Sequence, residues 1–151
     1  LLLLKNNIII KGEEIMSHLS KYESHVLMNT DKYLLEDALE ELGITLNSNI
    51  KTIRNAYITT KVDAAFIKNG KLLPLGIQYE KTNKGVNTII VGDYFGTGID
   101  EFTFTDKVCQ LYKKHEIIFK CKMQGWTINK EDITIDNKTD EIVINASRYA
   151  V

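Results

Sequence analysis

Residues 105–126, TDKVCQLYKKHEIIFKCKMQGW, form the longest stretch of the chain with one clear period. At about 100° per residue, six side chains of this stretch, all apolar or aromatic in character, fall on one arc of a helix. They are Val108, Leu111, Tyr112, His115, Ile118 and Phe119. Four charged residues lie off that arc: Lys113, Lys114, Glu116 and Lys120. The pattern predicts an amphipathic helix that packs one face on the core.

Both ends of this predicted helix carry capping residues. Thr105 is a suitable N-cap because its hydroxyl can accept a hydrogen bond from a free backbone N–H, and Asp106 suits the positive end of the helix dipole. Gly125 supplies the left-handed residue that ends a helix, and Trp126 can fold back on the last turn. The helix is therefore expected to run from the threonine to the glycine.

The composition indicates a single domain with a real hydrophobic core. The chain has 151 residues, of which 44% are hydrophobic, and its formal net charge is −1. A near-neutral chain lacks the basic face that binding to nucleic-acid phosphates needs, so a nucleic-acid partner is not expected. Two cysteines make no disulfide framework, which favours a reducing, cytoplasmic compartment.

Residues 1–15, LLLLKNNIIIKGEEI, are predicted to be a non-native or disordered extension ahead of one domain at 16–151. Their apolar runs are too short and too broken for a membrane span of about 20 residues. They also lack the basic start and cleavage site of a secretory signal. Residues 11–16 can be encoded by AAA GGA GAA GAA ATA ATG, a purine-rich ribosome-binding sequence directly before a start codon. Met16 is therefore the expected start, and the alternative is a genuine, poorly ordered arm.

A second, shorter helix is predicted before the middle of the chain. Residues 18–28 alternate loosely and predict a first strand. Thr30 or Asp31 then caps a helix that ends at Gly43. Its buried stripe is expected to be Leu34, Leu35, Ala38, Leu39 and Leu42. Its acidic residues are expected to face water: Glu36, Asp37, Glu40 and Glu41.

The rest of the chain predicts strands. Residues 44–96 indicate an antiparallel meander with a hairpin at Asn69-Gly70, because both residues tolerate positive φ. Pro74 forbids one ladder hydrogen bond and therefore indicates a sheet edge or the start of a strand. Residues 126–128 predict a strand, and residues 133–146 predict a terminal hairpin. The expected fold is α+β, a two-layer sandwich of a mainly antiparallel sheet with two helices on one face.

A glycine-rich loop surrounds Asp93 between the meander and the long helix. Gly92, Gly96 and Gly98 are dense enough to let the backbone approach a ligand. They do not follow the strand-to-helix phosphate loop of the Walker or dinucleotide type. The segment is therefore predicted to be a loop that leaves the sheet and leads to the long helix.

Four residues are candidates for a site: His18, Asp93, Tyr112 and His115. A histidine can move a proton near neutral pH, a phenol can orient it, and a carboxylate can fix its tautomer. The alternative is that His115 is a neutral core histidine bonded to a backbone carbonyl or to Tyr112.

A zinc site is not predicted. The chain has ligands of the right type, namely His18, His25, His115, Cys109 and Cys121, but no C-x-x-C or H-x-x-x-H spacing. Cys109 and Cys121 fall on the flanks of the apolar arc, roughly 120° from each other by the helical period, and cannot clamp one ion from that helix alone.

Several pieces of the chain, in order, resemble a known family. They are Met16-Ser17-His18, ALEELG at 38–43, Asp93 after a strand, QLYKKH at 110–115, QGW at 124–126 and Arg148-Tyr149. This order resembles the family named after the thirty-fifth hypothetical chloroplast reading frame, which occurs in plastids, cyanobacteria and other bacteria. The resemblance covers most of residues 16–150, fits 44–90 least well, and agrees with Met16 as the start.

The resemblance implies a shared fold and a shared site, because the family is a domain of unknown function. It also implies an accessory role beside an AAA-type ATPase, whose genes lie near such reading frames. The function expected for this chain is an accessory or protein-interaction module that offers a sheet edge or an acidic face to a protein partner. The alternative is a small ligand-binding protein or enzyme that uses the His/Tyr/Asp cluster. No cofactor is expected.

Overall fold

The computed structural model describes residues 2–4, 8–11, 22–23, 26–136 and 138–147. Within these residues the two helices are α1, Lys32–Glu41, and α2, Glu101–Met123. The strands in chain order are β1 Leu2–Leu4, β2 Ile8–Lys11, β3 Tyr22–Glu23, β4 Val26–Leu27, β5 Ile44–Asn47, β6 Thr52–Arg54, β7 Thr59–Lys61, β8 Ala64–Lys68, β9 Lys71–Thr82, β10 Gly85–Gly92, β11 Ile133–Ile135 and β12 Ile142–Asn145. A short 3₁₀ turn, Lys130–Asp132, precedes β11.

The strands form one large sheet and two smaller ones. The large sheet has six antiparallel strands in the order β3-β4-β10-β9-β8-β5. The second sheet has the order β1-β2-β12-β11, and its β2 and β12 run parallel. Among the described strands, β6 and β7 pair with each other and with no third strand. The fold is therefore α+β with a mainly antiparallel sheet, as the sequence predicts.

The side chains of β8 show which face of the large sheet carries the helices. Phe66 is fully buried and joins the main core cluster, which also contains Leu39 of α1 and Val108 of α2. The preceding residue, Ala65, points to the other face because side chains alternate along a strand. It belongs to a second, smaller cluster with Ile53 of β6. Both helices therefore pack on one face of the sheet, and the β6–β7 hairpin covers part of the opposite face.

Helix α2 is buried on most of its circumference, and the prediction of a single buried arc was wrong. Three of the charged residues predicted to lie off the arc, Lys113, Lys114 and Glu116, are buried, whereas Phe119 is 50% exposed. The physical reason is that α2 has neighbours on several sides. It contacts α1 and β2, and the Gln110 side-chain amide donates to the Asp140 carbonyl in the β11–β12 hairpin at 2.7 Å.

The N-terminus of α2 lies more than one turn before its predicted position, at Asp100 instead of Thr105. The N-cap is Asp100, whose carboxylate accepts from the Thr103 N–H at 3.0 Å. Thr105 is inside the helix, and its hydroxyl donates to the Glu101 carbonyl at 2.8 Å. A threonine hydroxyl can serve either purpose, since it can cap a helix or bond back to the i−4 carbonyl.

The C-terminus of α2 is as predicted. Gly125 has a φ of 82°. Its N–H donates to the Lys122 carbonyl at 3.1 Å, and the Trp126 N–H donates to the Cys121 carbonyl at 2.9 Å. This pair of hydrogen bonds is the Schellman motif, and Trp126 folds back into the main core.

Helix α1 is confirmed at both ends. Asp31 is its N-cap and accepts from the N–H groups of Tyr33 and Leu34 at 2.9 and 3.1 Å. Gly43 follows the helix with a φ of 75°. The buried residues Leu35, Ala38 and Leu39 form its inner stripe.

The meander contains the predicted hairpin and one misjudged proline. Asn69 and Gly70 have φ values of 53° and 73° and connect β8 to β9. Pro74 lies inside β9, between β8 and β10, so the prediction of an edge or strand start was wrong. The ladder with β8 is irregular at this point, because residues 73–75 of β9 oppose only residue 66 of β8. A bulge of this kind tolerates a residue without an N–H.

Other strand predictions have mixed outcomes. The strand predicted at 126–128 is only an isolated bridge between Thr127 and Ser147. Strand β6 was not predicted. The part of the predicted first strand that is described forms β3 and β4, and the rest lies outside the described residues. Strand β2 pairs with β12, but pairing carries no information on the start codon, so translation from Met16 stays a prediction.

Candidate functional site

Tyr112, one of the predicted site residues, connects the two helices. Its side chain is fully buried, and its hydroxyl oxygen accepts a hydrogen bond from the Asp31 backbone N–H at 2.7 Å. Asp31 is the N-cap of α1, so the phenol fixes the beginning of that helix against α2. This contact is a structural one within the core.

His115 lies at the other end of α1. Its Nε2 is 2.8 Å from Glu41 Oε2, so its partner is neither the backbone carbonyl nor Tyr112 that the sequence suggested. Lys114 Nζ lies 2.5 and 2.7 Å from the two oxygens of the same carboxylate. Burial alone would raise the pKa of Glu41, but the hydrogen bonds from Lys114 and His115 outweigh it. The pKa of this carboxyl therefore lies below its ordinary value of 4.5.

The geometry of α1 separates the two rings. Its ten residues place Asp31 and Glu41 roughly 15 Å apart, at about 1.5 Å per residue. Tyr112 bonds one end of α1 and His115 bonds the other, whereas direct proton transfer needs about 3 Å. The other two candidates do not join them in what the structure describes. His18 lies outside the described residues, as does His25 of the zinc set.

Asp93 lies in a different part of the molecule, beside the β6–β7 hairpin. Its Oδ1 accepts from the Phe95 N–H at 2.9 Å, and its Oδ2 accepts from Asn55 Nδ2 at 3.0 Å. Its own N–H donates to the Pro74 carbonyl at 2.9 Å. Asp93 therefore joins the hairpin, the loop after β10 and strand β9 at one point.

Asn55 is fixed in turn by its own hairpin. Its side-chain oxygen accepts from the N–H groups of Tyr57 and Ile58 at 2.8 and 2.7 Å. An asparagine in this arrangement closes a local turn without a backbone carbonyl. The turn thus holds in place the amide nitrogen that donates to Asp93. Asn55 and Asp93 lie 38 positions apart in the chain, and each is held by hydrogen bonds within its own turn.

The loop that carries Asp93 is also anchored in the core. Tyr94 is half-buried and packs edge-to-face on Phe104 of α2, with ring centroids 6.3 Å apart. Gly92, directly before Asp93, has a φ of 128°. A Cβ at Gly92 would collide with the Pro74 carbonyl oxygen and would lie 2.9 Å from the Leu75 Cα. Glycine is therefore required for the loop to leave the sheet here.

These elements surround a groove. One part of it has a volume of about 260 Å³ and the adjoining part about 470 Å³. Asn55, Pro74 and Asp93 line both parts. We call this depression the Asn55–Asp93 groove. The volume of the larger part lies within the range of about 300–1,000 Å³ that is usual for ligand pockets.

Large apolar side chains stand exposed around the groove. Tyr57 and Phe95 are each 92% exposed, Ile58 is 63% exposed and Leu72 is 46% exposed. All four line one part of the groove or the other. Exposed apolar side chains that cluster around a concavity are typical of binding surfaces, whereas isolated ones are common anywhere.

The groove contains charges of both signs. Arg54 and Asp93 both line its larger part. In the part of the chain that the structure describes, none of the ion pairs includes either residue. A carboxylate has about four acceptor positions, and the hydrogen bonds from Asn55 and Phe95 occupy two of those of Asp93. The remaining positions can receive donors from another molecule.

The two cysteines of α2 are core residues. Cys109 is 2% exposed and Cys121 is fully buried. Burial raises the pKa of Cys109 to about 12 and that of Cys121 to about 11. Among the residues that the structure describes, no three histidine, cysteine or acidic side chains are grouped to hold a metal ion.

Sequence reasoning found Asp93 but missed its surroundings. Asn55, Tyr57 and Phe95 were not singled out as site residues. A local signal existed, because Asn55 and Asp93 each lie two residues before an aromatic residue and each closes a turn with its side chain. What the sequence lacks is any sign that these two turns meet across 38 positions.

Comparisons with family models, with curated proteins and with solved structures returned no match. The resemblance to the chloroplast reading-frame family therefore stays a prediction. Neither α1 nor α2, the helices of the described residues, combines enough length with enough apolar character to cross a bilayer.

Proposed function

We propose that this protein is an accessory protein-interaction module and that it receives its partner in the Asn55–Asp93 groove. The observation that carries the proposal is the exposure of four large apolar side chains around one depression: Tyr57, Ile58, Leu72 and Phe95. Aromatic residues are enriched in protein–protein interfaces, and a few of them usually supply most of the binding energy.

The construction of the groove favours binding. Asn55 and Asp93 are held by hydrogen bonds to their own turns and to each other. A site whose polar groups are already ordered loses less conformational entropy when a partner arrives. The groove therefore combines a mostly apolar lining with a few polar groups that are already held in place, as binding sites commonly do.

The two surfaces expected from the sequence are weaker candidates. In the acidic face of α1, Glu41 is engaged by Lys114 and His115. The edge strand β5 of the large sheet has only four residues, and short edges are a common device against strand addition. The resemblance to the chloroplast family makes an AAA-type ATPase the first partner to test at the groove.

The proposal is tested with a double substitution, Tyr57→Ala with Phe95→Ala. Tyr33→Ala is the matched control, because Tyr33 is 73% exposed and does not line the groove. Tagged protein is used to capture partners from an extract of the source organism. We expect a partner that the wild type and the control retain and the double variant loses. Equal recovery by all three proteins would contradict the proposal.

A second function is supported by the volume of the groove. Its larger part, about 470 Å³, has room for a small molecule, and Asp93 supplies hydrogen-bond acceptors. Tyr112 and His115 contact the two ends of α1, away from this groove, which favours binding over catalysis. A metabolite library screened by thermal shift tests this function. A compound that raises the Tm of the wild type and not that of Asp93→Asn would support it.

A further inference from the structure

The carboxylate of Asp93 is placed for a cationic ligand. It is half-buried, and it is held at one oxygen by the Phe95 N–H and at the other by the amide of Asn55. Both donors are neutral, so they stabilise the carboxylate but leave its net negative charge in place. Within the described residues no lysine, arginine or histidine forms an ion pair with it. Asp93 thus keeps free acceptor positions on a negatively charged group that lines the groove, and a positive group of a ligand can match that charge.

Two aromatic rings line the same part of the groove as this carboxylate. Tyr57 follows Asn55 by two residues, Phe95 follows Asp93 by two residues, and both rings line the larger part of the groove. Each is 92% exposed, so their faces are available to a ligand. Cations bind to aromatic faces, and the planar guanidinium of arginine stacks on them more readily than the lysine ammonium does.

From this geometry, and on the basis of the proposed function, we infer that the partner inserts an arginine side chain of an extended segment into the groove. The guanidinium donates to the two free acceptor positions of Asp93 and stacks between Tyr57 and Phe95. Arginine is favoured over lysine because its donors form a fork that matches both oxygens of one carboxylate.

Arg54 is the group of the groove that we expect to contact the partner segment next to its inserted arginine. It lines the same part of the groove as Asp93 but forms no ion pair within the described residues. Its guanidinium can receive a carbonyl or a carboxylate that lies next to the inserted arginine. Arg54 therefore disfavours a segment with consecutive basic residues, and Asp93 disfavours the phosphates of a nucleic acid.

The inference is tested with short peptides, which do not require the partner to be known. The first probe is a capped tripeptide of leucine, arginine and leucine, and the second carries citrulline in place of arginine. Citrulline keeps the shape of the side chain and removes its charge. Binding is followed by NMR through the amide signals of Asn55, Asp93 and Phe95. We expect saturable shifts with arginine and affinity at least about tenfold weaker with citrulline, the effect of losing one charge-assisted contact.

The protein variants give a second measure. Asp93→Asn should reduce affinity for the arginine probe to that for the citrulline probe, and Tyr33→Ala should leave it unchanged. Equal affinity for both probes, or shifts outside the groove, would overturn the inference. So would tighter binding of oligouridylate than of the arginine probe, since that result indicates a nucleic-acid surface.

The same variants separate this inference from the proposed function. If a captured partner is lost by the Tyr57→Ala, Phe95→Ala double variant but kept by Asp93→Asn, the groove binds a partner without an arginine anchor. If the double variant keeps the partner, the groove is not the interface and the proposed function fails. The citrulline probe requires no change in the protein, so its result stands even if Asp93→Asn loosens the loop.

Discussion

The most demanding prediction concerns Gly92, which precedes Asp93 at the end of β10. Its φ of 128° lies where residues with a side chain are strained, and its backbone lies against β9. A Cβ there would collide with the Pro74 carbonyl oxygen and would lie within 2.9 Å of the Leu75 Cα and 3.0 Å of Ile53 Cδ1. Two of these three atoms belong to backbone that is paired in the large sheet, so they cannot move aside easily.

The expected loss of stability follows from two contributions. Placing alanine at positive φ costs about 1–2 kcal/mol. Forcing a methyl group into occupied space adds about 1–3 kcal/mol. Alanine also lowers the conformational entropy of the unfolded chain, which offsets about 0.4–1 kcal/mol of this loss of stability. Gly92→Ala should therefore lower the free energy of unfolding by roughly 1–4.5 kcal/mol, out of about 5–15 kcal/mol for a typical domain.

Gly98→Ala is the matched control for this experiment. Gly98 has a φ of 74° in the same loop, and a Cβ there would meet no atom within 4 Å. Gly98→Ala also places alanine at positive φ, at a value close to the left-handed helical region, but without the collision. It should therefore cost only about 0–1.6 kcal/mol. Urea unfolding followed by circular dichroism measures both variants at constant m. If Gly92→Ala is no more destabilising than Gly98→Ala, the close approach of β10 to β9 does not shape the groove.

Three further predictions concern the helices. Tyr112→Phe removes the acceptor of the Asp31 N–H and should lower the free energy of unfolding by about 1–3 kcal/mol. Tyr94→Phe is the control and should cost almost nothing, since Tyr94 Oη is buried without a hydrogen-bond partner among the described residues. Urea unfolding compares the two variants. Glu41→Gln should destabilise the protein at neutral pH. Because the folded pKa of Glu41 is depressed, its contribution is present above pH 4.5 and disappears as the pH falls through the folded pKa. The variant and the wild type should therefore converge in acid. Glu40→Gln, at an exposed neighbouring position of α1, is the control and should cost little at neutral pH. The two buried cysteine thiols should react with Ellman's reagent only after unfolding, and rapid reaction of the native protein would contradict their burial.

Local signals were sufficient to predict both helices and most of the strands. The cap at Asp31, the glycine stop after each helix and the Asn69-Gly70 hairpin depend on residues close in sequence, and all are confirmed. The α+β class follows from the same pattern. These features are predictable because the hydrogen-bond partners of the backbone groups at a helix end or a hairpin turn lie within a few residues in the sequence.

The failures arose where tertiary contacts decide the outcome. Lys114 was expected off the buried arc, yet it is buried because Glu41 of α1 supplies a partner for its charge. Pro74 was expected at an edge, yet a bulge in the pairing with β8 accommodates it inside the sheet. Neither fact can be read from the periodicity of its own segment, since each depends on contacts with another element of the fold.

The same distinction explains which parts of the site were predictable. Asp93 stood out because glycines surround it, but the groove exists only because Asn55 reaches it from the hairpin. The loop leaves β10 at Gly92, and the Asp93 N–H bonds the Pro74 carbonyl, so the pairing of β9 with β10 sets the position of the carboxylate. The carboxylate is therefore positioned by the sheet more than by the flexibility of its loop. It follows that Gly92→Ala should weaken binding of the arginine probe even at temperatures where the variant remains folded, whereas Gly98→Ala should not.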